Sequence, residues 1–306
     1  MEIPEYFVKN ASRQFGQKGP EWVRQLPWLL SRCLSKWHLE NCVPVEGLSI
    51  NLVCFATSRM HGDVVLKIEG PHSERYTEML ALQRFGGRYA CECLKVDYEM
   101  GAILLERLVP GRKLRSVSDR QTQLEVGTGL MLQLPCPLED AGGFPHYTDW
   151  MERAFQKTQQ EYRPGAEVAS LMDAASELVA ATNPDTWPSF LLHGDLHHDN
   201  ILESSGGVWK VIDPQGVIGA PFLESARFIQ NHVMGADHTP MDKGQLDQAV
   251  AYVAERMGET KHRIATALFV DHLLSMCWGY EMNFAAQHTD KMLGECVWLL
   301  GYVRRT

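Results

Sequence analysis

The chain has 306 residues, 45% of them hydrophobic and 22% charged, with a formal net charge of −9. This is ordinary globular composition, which excludes disordered and collagen-like chains, and the length suits one large or two modest domains with substantial cores. The acidic balance argues against nucleic acid as a partner, because phosphate-backbone binding is carried by clustered Lys and Arg; it accommodates a small cationic substrate.

Residues 1–6 lack the basic and apolar regions of a secretory signal, and no run reaches the roughly 20 apolar residues of a membrane span. A cytoplasmic protein without a membrane partner is expected. The eight cysteines are scattered with no CxxC pair, which predicts reduced thiols rather than disulfides or structural zinc. Residues 1–40 read as a helical extension. Trp22, Leu26, Leu29, Leu30, Leu34 and Trp37 form its amphipathic pattern, with a break at Pro27.

Residues 43–45, 52–56 and 64–68 read as three consecutive strands. The second and third form a hairpin around Arg59-Met60-His61-Gly62-Asp63, and Gly47-Leu48-Ser49-Ile50-Asn51 is a polar turn between the first two. Lys67 is a lone cation inside an otherwise apolar strand. Such a lysine either lies on an edge strand in water or is buried with a partner. A helix opening at Pro71-His72-Ser73 and running through Glu74, Glu78, Leu82 and Phe85 ends at Gly86-Gly87, and on it Glu78 can face back toward Lys67. Strands at 90–98 and 102–108 follow, and Pro110-Gly111 breaks the chain.

Beyond Gly111 helices are expected at 116–134, 148–161, 165–182, 222–234, 242–257, 259–285 and 289–304. Between them, apolar runs at 190–192 and 208–212 read as adjacent buried strands that end in polar bursts. The first burst is His193-Gly194-Asp195-Leu196-His197-His198-Asp199-Asn200 and the second is Ile212-Asp213-Pro214. The predicted fold is α+β and bilobal. A small five-stranded antiparallel N-lobe covers 1–104 and a larger, mostly helical C-lobe 112–306, joined by residues 105–111 and with a cleft between the lobes.

Rigid strand ends aim polar groups well, and the residue types here match phosphoryl transfer. That reaction takes a carboxylate to orient and deprotonate the attacking hydroxyl, oxygen ligands for Mg²⁺, and a cation near the α- and β-phosphates. Asp195 supplies the carboxylate, Asn200 and Asp213 supply oxygen ligands, and Lys67, neutralised by Glu78, supplies the cation. Each Asp or Asn taken singly also suits a capping position. Asp199 reads as a residue bonding within the loop. The cluster His193, His197, His198 offers a second class, a His/Asp metallohydrolase, but that reading leaves Lys67 and Glu78 unexplained.

The motif from His193 to Asn200 with Ile212-Asp213-Pro214 resembles the catalytic and metal loops of the aminoglycoside phosphotransferase family, small-molecule relatives of protein kinases. The resemblance implies a protein-kinase-like fold and a kinase using ATP and Mg²⁺, with Asp195 as base and Asn200 and Asp213 as metal ligands. It also implies a nucleotide lysine at Lys67, in Val65-Leu66-Lys67-Ile68, with its partner Glu78, in Glu78-Met79-Leu80-Ala81-Leu82. Leu104 to Gly111 resembles the family's hinge, so the backbone around Glu106 and Leu108 would bond the adenine. A glycine-rich phosphate loop is missing, and the turn carrying Ser49 would take its place.

Asp213 to Gly219, followed by Glu224-Ser225-Ala226-Arg227-Phe228, resembles the streptomycin and hydroxyurea kinase branch, as does the helix from Leu273 to Glu281. Gln215 and Ala220 depart from that pattern, standing where Lys and an acidic residue are usual. The branch implies a streptomycin-type aminoglycoside or hydroxyurea as substrate and a role in antibiotic resistance. A housekeeping kinase of an amino sugar, sugar or amino alcohol is the alternative. Trp278 and Glu281, one turn apart, and Glu224 are candidate substrate contacts.

Overall fold

A computed structural model describes residues 3–71, 75–234, 242–282 and 284–306. His72, Ser73 and Glu74, where a helix start was expected, lie outside the described residues. The chain divides into two compact units, one comprising Met1–Arg112 with Glu203–Ile212 and the other Lys113–Leu202 with Asp213–Thr306.

The first unit begins with helices α1 (Glu5–Phe15) and α2 (Lys18–Trp37). The break falls at Gly16, whose φ of 56° stops the first helix, and not at Pro27, which lies inside α2. Proline costs α2 one backbone hydrogen bond. The helix persists because Leu26, Leu29 and Cys33 are buried along one face. Each buried leucine contributes about 1.5–3 kcal/mol, which offsets the lost bond. Strands β1 (Leu39–Pro44), β2 (Leu52–Ser58) and β3 (Gly62–Ile68) follow, then helix α3 (Arg75–Phe85) and strands β4 (Cys93–Asp97) and β5 (Ala102–Glu106).

The strands form one antiparallel sheet in the order β1-β2-β3-β5-β4. Lys67 is therefore central, opposite Val53 of β2 and Ile103 of β5, and the edge-strand alternative fails. Side chains alternate across a strand. Val64, Leu66 and Ile68 enter a core shared with Phe7, Trp22 and Leu26, which sends Lys67 to the opposite face. The segment Glu203–Ile212 is tied into this unit by Gly111 N–H to the Glu203 carbonyl (2.9 Å) and by Val211 N–H to the Tyr89 carbonyl (2.8 Å).

The second unit holds α4 (Arg120–Gln133), the two-residue strand β6 (Cys136–Pro137), α5 (Tyr147–Lys157) and α6 (Ala166–Ala181). It continues with β7 (Phe190–Leu192), and then β8 (Ile201–Glu203) and β9 (Trp209–Val211) bracket the return to the first unit. After β10 (Val217–Gly219) come α7 (Ser225–Met234), α8 (Lys243–Met257), α9 (Lys261–Glu281) and α10 (Ala286–Val303). The sequence suggests that the run before Asp195 lies beside the run before Asp213, but β7 bonds to β10 and β6, and β9 bonds to β8. Three-residue strands carry too little period-two signal to reveal their partners. Helix α9 is buried almost all round, and α4, α8 and α9 start on side-chain caps from Asp119, Asp242 and Thr260. Among the described residues no helix is long and apolar enough to cross a membrane.

Candidate active site

In the first unit Lys67 and Glu78 meet. Lys67 Nζ donates to both carboxylate oxygens of Glu78 at 2.7 and 2.6 Å, and both residues are buried. A bidentate contact of this kind fixes the ammonium on the sheet face opposite the core. Ser49 is exposed, and its carbonyl accepts from Asn10 Nδ2 of α1 (3.2 Å), so the helical extension anchors that turn. Glu106 ends β5. Its carboxylate accepts the Glu92 N–H (2.7 Å) and pairs with Lys210 (2.5 Å), while its own N–H bonds the Glu92 carbonyl (3.0 Å). Leu108, two residues on, is buried.

In the second unit the loop after β7 is built on a left-handed turn. Gly194 has φ +78°, and a Cβ there would lie 3.0 Å from Val217 Cγ1, so glycine is required both by conformation and by space. The His193 carbonyl accepts the N–H groups of Gln215 (2.8 Å) and Gly216 (3.1 Å), which ties the segment after Asp213 to the start of this loop. Asp213 itself sits at φ 58°, a region non-glycine residues occupy sparingly and mostly where structure over-determines them.

The Asp195 carboxylate is held from three sides. Asn200 Nδ2 donates to its Oδ2 (3.3 Å) and to its carbonyl (3.0 Å), His197 Nε2 lies 3.5 Å from Oδ2, and Arg227 Nε lies 3.8 Å from Oδ1. Burial alone would raise this carboxyl. The His197 hydrogen bond and the Arg227 charge more than offset that, and it titrates below the usual carboxylate range. Asp195 is thus ionised and able to accept a proton. With Nδ2 committed to Asp195, the Asn200 amide keeps its Oδ1 as an acceptor.

Asp195 lines a cavity of about 460 Å³ whose wall also includes His197, Arg227, Trp278, Lys291 and Glu295. That volume falls within the usual range for small-molecule sites. Trp278 meets Trp150 edge-on at 5.5 Å. Glu281 does not line this cavity: three residues along α9, its carboxylate reaches Lys157 at the end of α5 (2.6 Å). Glu224 is buried under the loop instead, where its Oε1 accepts the Gly194 N–H (2.9 Å), and burial pushes its carboxyl up to about 8. Asp199 is clamped by Arg115 at 2.6 Å.

The histidines have loop-building roles. His193 Nδ1 accepts the Asp195 N–H and His197 Nδ1 the Asp199 N–H, each at 3.2 Å. His198 is buried against the Phe228 ring (4.3 Å) and meets His232 at 3.3 Å. Among the described residues no group of three or more His, Cys, Asp or Glu is placed to hold a metal. Zinc needs such a cage. Magnesium does not, since it is usually held by one or two carboxylates together with substrate phosphates and water, and the hard oxygens of Asp213 and Asn200 fit that pattern.

Residues 36–282 match the aminoglycoside/hydroxyurea antibiotic resistance kinase family. The chain belongs to that family. It is a small-molecule kinase. It is 27% identical over 235 residues to the streptomycin 6-kinase of Streptomyces griseus, covering 72% of each chain. It is 30% identical over 230 residues to the hydroxyurea phosphotransferase of Kitasatospora aureofaciens, covering 73% of this chain and 66% of the relative.

The kinase's protein-kinase-like fold is shared with the choline kinase of Streptococcus pneumoniae, with TM-score 0.69 and 14% identity over 91% of this chain and 99% of the other. It is also shared with the aminoglycoside phosphotransferase APH(4)-Ia, with TM-score 0.62 and 15% identity over 88% and 97% of the two chains. That structure is a complex with ADP and hygromycin B.

From sequence, Arg227 has a place in the motif Glu224 to Phe228 but no role of its own, and Asp271 has neither. A signal for Asp271 was present. It is a lone carboxylate in the largely apolar stretch Ile264 to Leu274, broken otherwise by Thr266 and His272, an exception akin to the one that marks Lys67.

Proposed function

We propose that this kinase transfers the γ-phosphoryl group of ATP to a hydroxyl of a small cationic molecule, a streptomycin-type aminoglycoside, with hydroxyurea as the other acceptor of the branch. The observation that carries this reading is the Asp195 carboxylate, held ionised at the wall of a cavity of about 460 Å³ beside Trp278. Asp195 orients the acceptor hydroxyl and takes its proton as the oxygen–phosphorus bond forms and the bond to ADP breaks. Lys67, positioned by Glu78, binds the α- and β-phosphates, and the turn at Ser49 covers them through backbone amides. The backbone at Glu106 and Leu108 receives the adenine.

Asn200 and Asp213 hold Mg²⁺, which when bound neutralises charge on the phosphates. Trp278 supplies an aromatic wall for the acceptor, and Glu224 supports the loop from below. Residues 1–104 form the nucleotide lobe, 105–111 the hinge and 112–306 the catalytic and substrate lobe of a cytoplasmic enzyme. The kinship with streptomycin and hydroxyurea kinases supports this assignment of acceptors.

A coupled ADP-release assay over streptomycin, other aminoglycosides, hydroxyurea, amino sugars and amino alcohols tests the acceptor. Stimulation by streptomycin or hydroxyurea is expected, and stimulation by an amino sugar or amino alcohol alone overturns the resistance reading. Asp195→Asn is expected to lower turnover by about 10³-fold or more while nucleotide affinity stays within about 3-fold. Substantial residual turnover in that variant sinks the base assignment.

A further inference from the structure

Two of the three groups around Asp195 belong to its own loop. Arg227 does not. It stands on α7 and is fixed by α9, where Asp271 Oδ1 accepts a hydrogen bond from its Nη2 (3.2 Å) and Asp271 Oδ2 forms an ion pair with its Nε (3.1 Å). Its guanidinium also lies 5.4 Å from the centre of the Trp278 ring. A guanidinium is a planar fork of donors, so three fixed neighbours set its orientation as well as its position.

Asp271 is buried in a largely apolar stretch of α9, with Phe269, Val270, Leu273 and Leu274 around it and the buried His272, which bonds Glu295 (3.1 Å), next to it. Burying such a pair costs desolvation on both partners, and well-packed hydrophobic residues of similar volume are often as stable or more so. Fold stability alone therefore gives no reason for placing the Arg227–Asp271 pair here. Aiming an arginine at Asp195 does.

Resting on the reading of Asp195 as the base, we infer that Arg227 is a positioning residue for phosphoryl transfer. Anchored by Asp271, it holds Oδ1 of Asp195 so that the carboxylate presents one fixed oxygen to the acceptor hydroxyl at the cavity wall. The hydroxyl proton passes to the Asp195 carboxylate, and Arg227 neither gives nor takes a proton. Trp278 links this support to the acceptor cavity, since its ring lies within cation–π range of the guanidinium and lines the same wall.

The test is steady-state and single-turnover kinetics on the full chain, with rates normalised to the folded fraction from thermal melts. In Arg227→Met, kcat is expected to fall about 100-fold while KM for nucleotide and acceptor stays within about 3-fold, the pattern of a lost transition-state alignment. Arg227→Lys restores a cation without the planar fork and is expected to recover about 10-fold of that loss. Asp271→Asn keeps a hydrogen-bonding shape but not the charge, and is expected to cost about 10-fold in kcat. In an Asp195→Asn background, adding Arg227→Met is expected to change the residual single-turnover rate by less than about 2-fold, because Arg227 acts through Asp195.

A kcat within about 2-fold of the parent in folded Arg227→Met overturns the inference, as does a rise in acceptor KM with kcat intact. So does a full additive loss in the Asp195→Asn background. If Arg227→Met does not fold, Arg227→Lys and Asp271→Asn carry the same test, and unchanged kcat in both overturns it. An active Asp195→Asn enzyme would instead remove the base assignment itself.

Discussion

A lysine in the middle of a β-sheet needs a reason, and Glu78 supplies it. Lys67 sits on the central strand β3 and Glu78 on α3, with both side chains buried and the ammonium shared between two oxygens at 2.7 and 2.6 Å. Removing Glu78 takes from the buried ammonium its bidentate partner. Glu78→Ala is therefore expected to cost about 3–5 kcal/mol in urea unfolding and to weaken nucleotide binding. The double variant Lys67→Met with Glu78→Leu is expected to recover most of that stability but not the binding. If Glu78→Ala unfolds at the parental urea midpoint, the pair is not the desolvated contact described here. Lys67 was legible in sequence because period-two alternation gives a strand a definite face, and a charge in the wrong place stands out. Asp271 is the same exception in a helix buried almost all round, where there is no polar face to compare it with.

Elements are joined in the second unit by groups that must stay neutral. His198 of the Asp195 loop lies between Phe228 and His232 of α7, both histidines are buried, and one ring nitrogen of each meets at 3.3 Å. Burial, with the neighbouring His232, Arg115 and Arg120 charges, lowers His198 to about 2; burial and Arg120 lower His232 to about 4. Both folded values lie below the roughly 6.5 of an unfolded histidine. Their contribution to stability is then complete above about pH 6.5 and is lost as pH falls from there to about 4 for His232 and to about 2 for His198, where the unfolded chain binds more protons. At about pH 5.5 the loss is roughly 1 kcal/mol for each histidine.

Urea midpoints measured between about pH 7 and pH 5 are expected to fall less steeply in His232→Gln than in the parent. An unchanged slope would show that the buried pair does not titrate this way. The sequence marks these histidines as a cluster next to Asp195 and so as candidate ligands. What it does not display is the packing of the helix expected at 222–234, which brings His232 and Phe228 alongside from some thirty positions away. The strands framing the loop were hidden for a related reason. Runs as short as Val217–Gly219 are defined by their partners rather than by their own pattern.

At the scale of the whole chain, charge and chemistry bear on different questions. Lys67, Asp195, Asn200 and Asp213 state the reaction class because few chemistries need those residue types in that order, and membership of a resistance-kinase family agrees with it. In the proposed reaction the acceptor would be set by the cavity wall, where Trp278, Lys291 and Glu295 come from α9 and α10, segments whose sequences read as plain amphipathic or buried helices. The net charge of −9 adds a long-range term that does not depend on that wall.

An acidic molecule raises the local concentration and the encounter rate of a polycation, and salt removes this advantage once the screening length drops below about 8 Å. For a streptomycin-type acceptor, kcat/KM is therefore expected to fall several-fold as salt rises from about 0.02 M to about 0.5 M. For uncharged hydroxyurea it is expected to change by less than about 2-fold over the same range, since there is no charge to steer. Parallel salt titrations with the two acceptors separate steering from any general effect of salt on the nucleotide, which both reactions share. Equal salt dependence for the two acceptors would show that the acidic surface takes no part in acceptor capture.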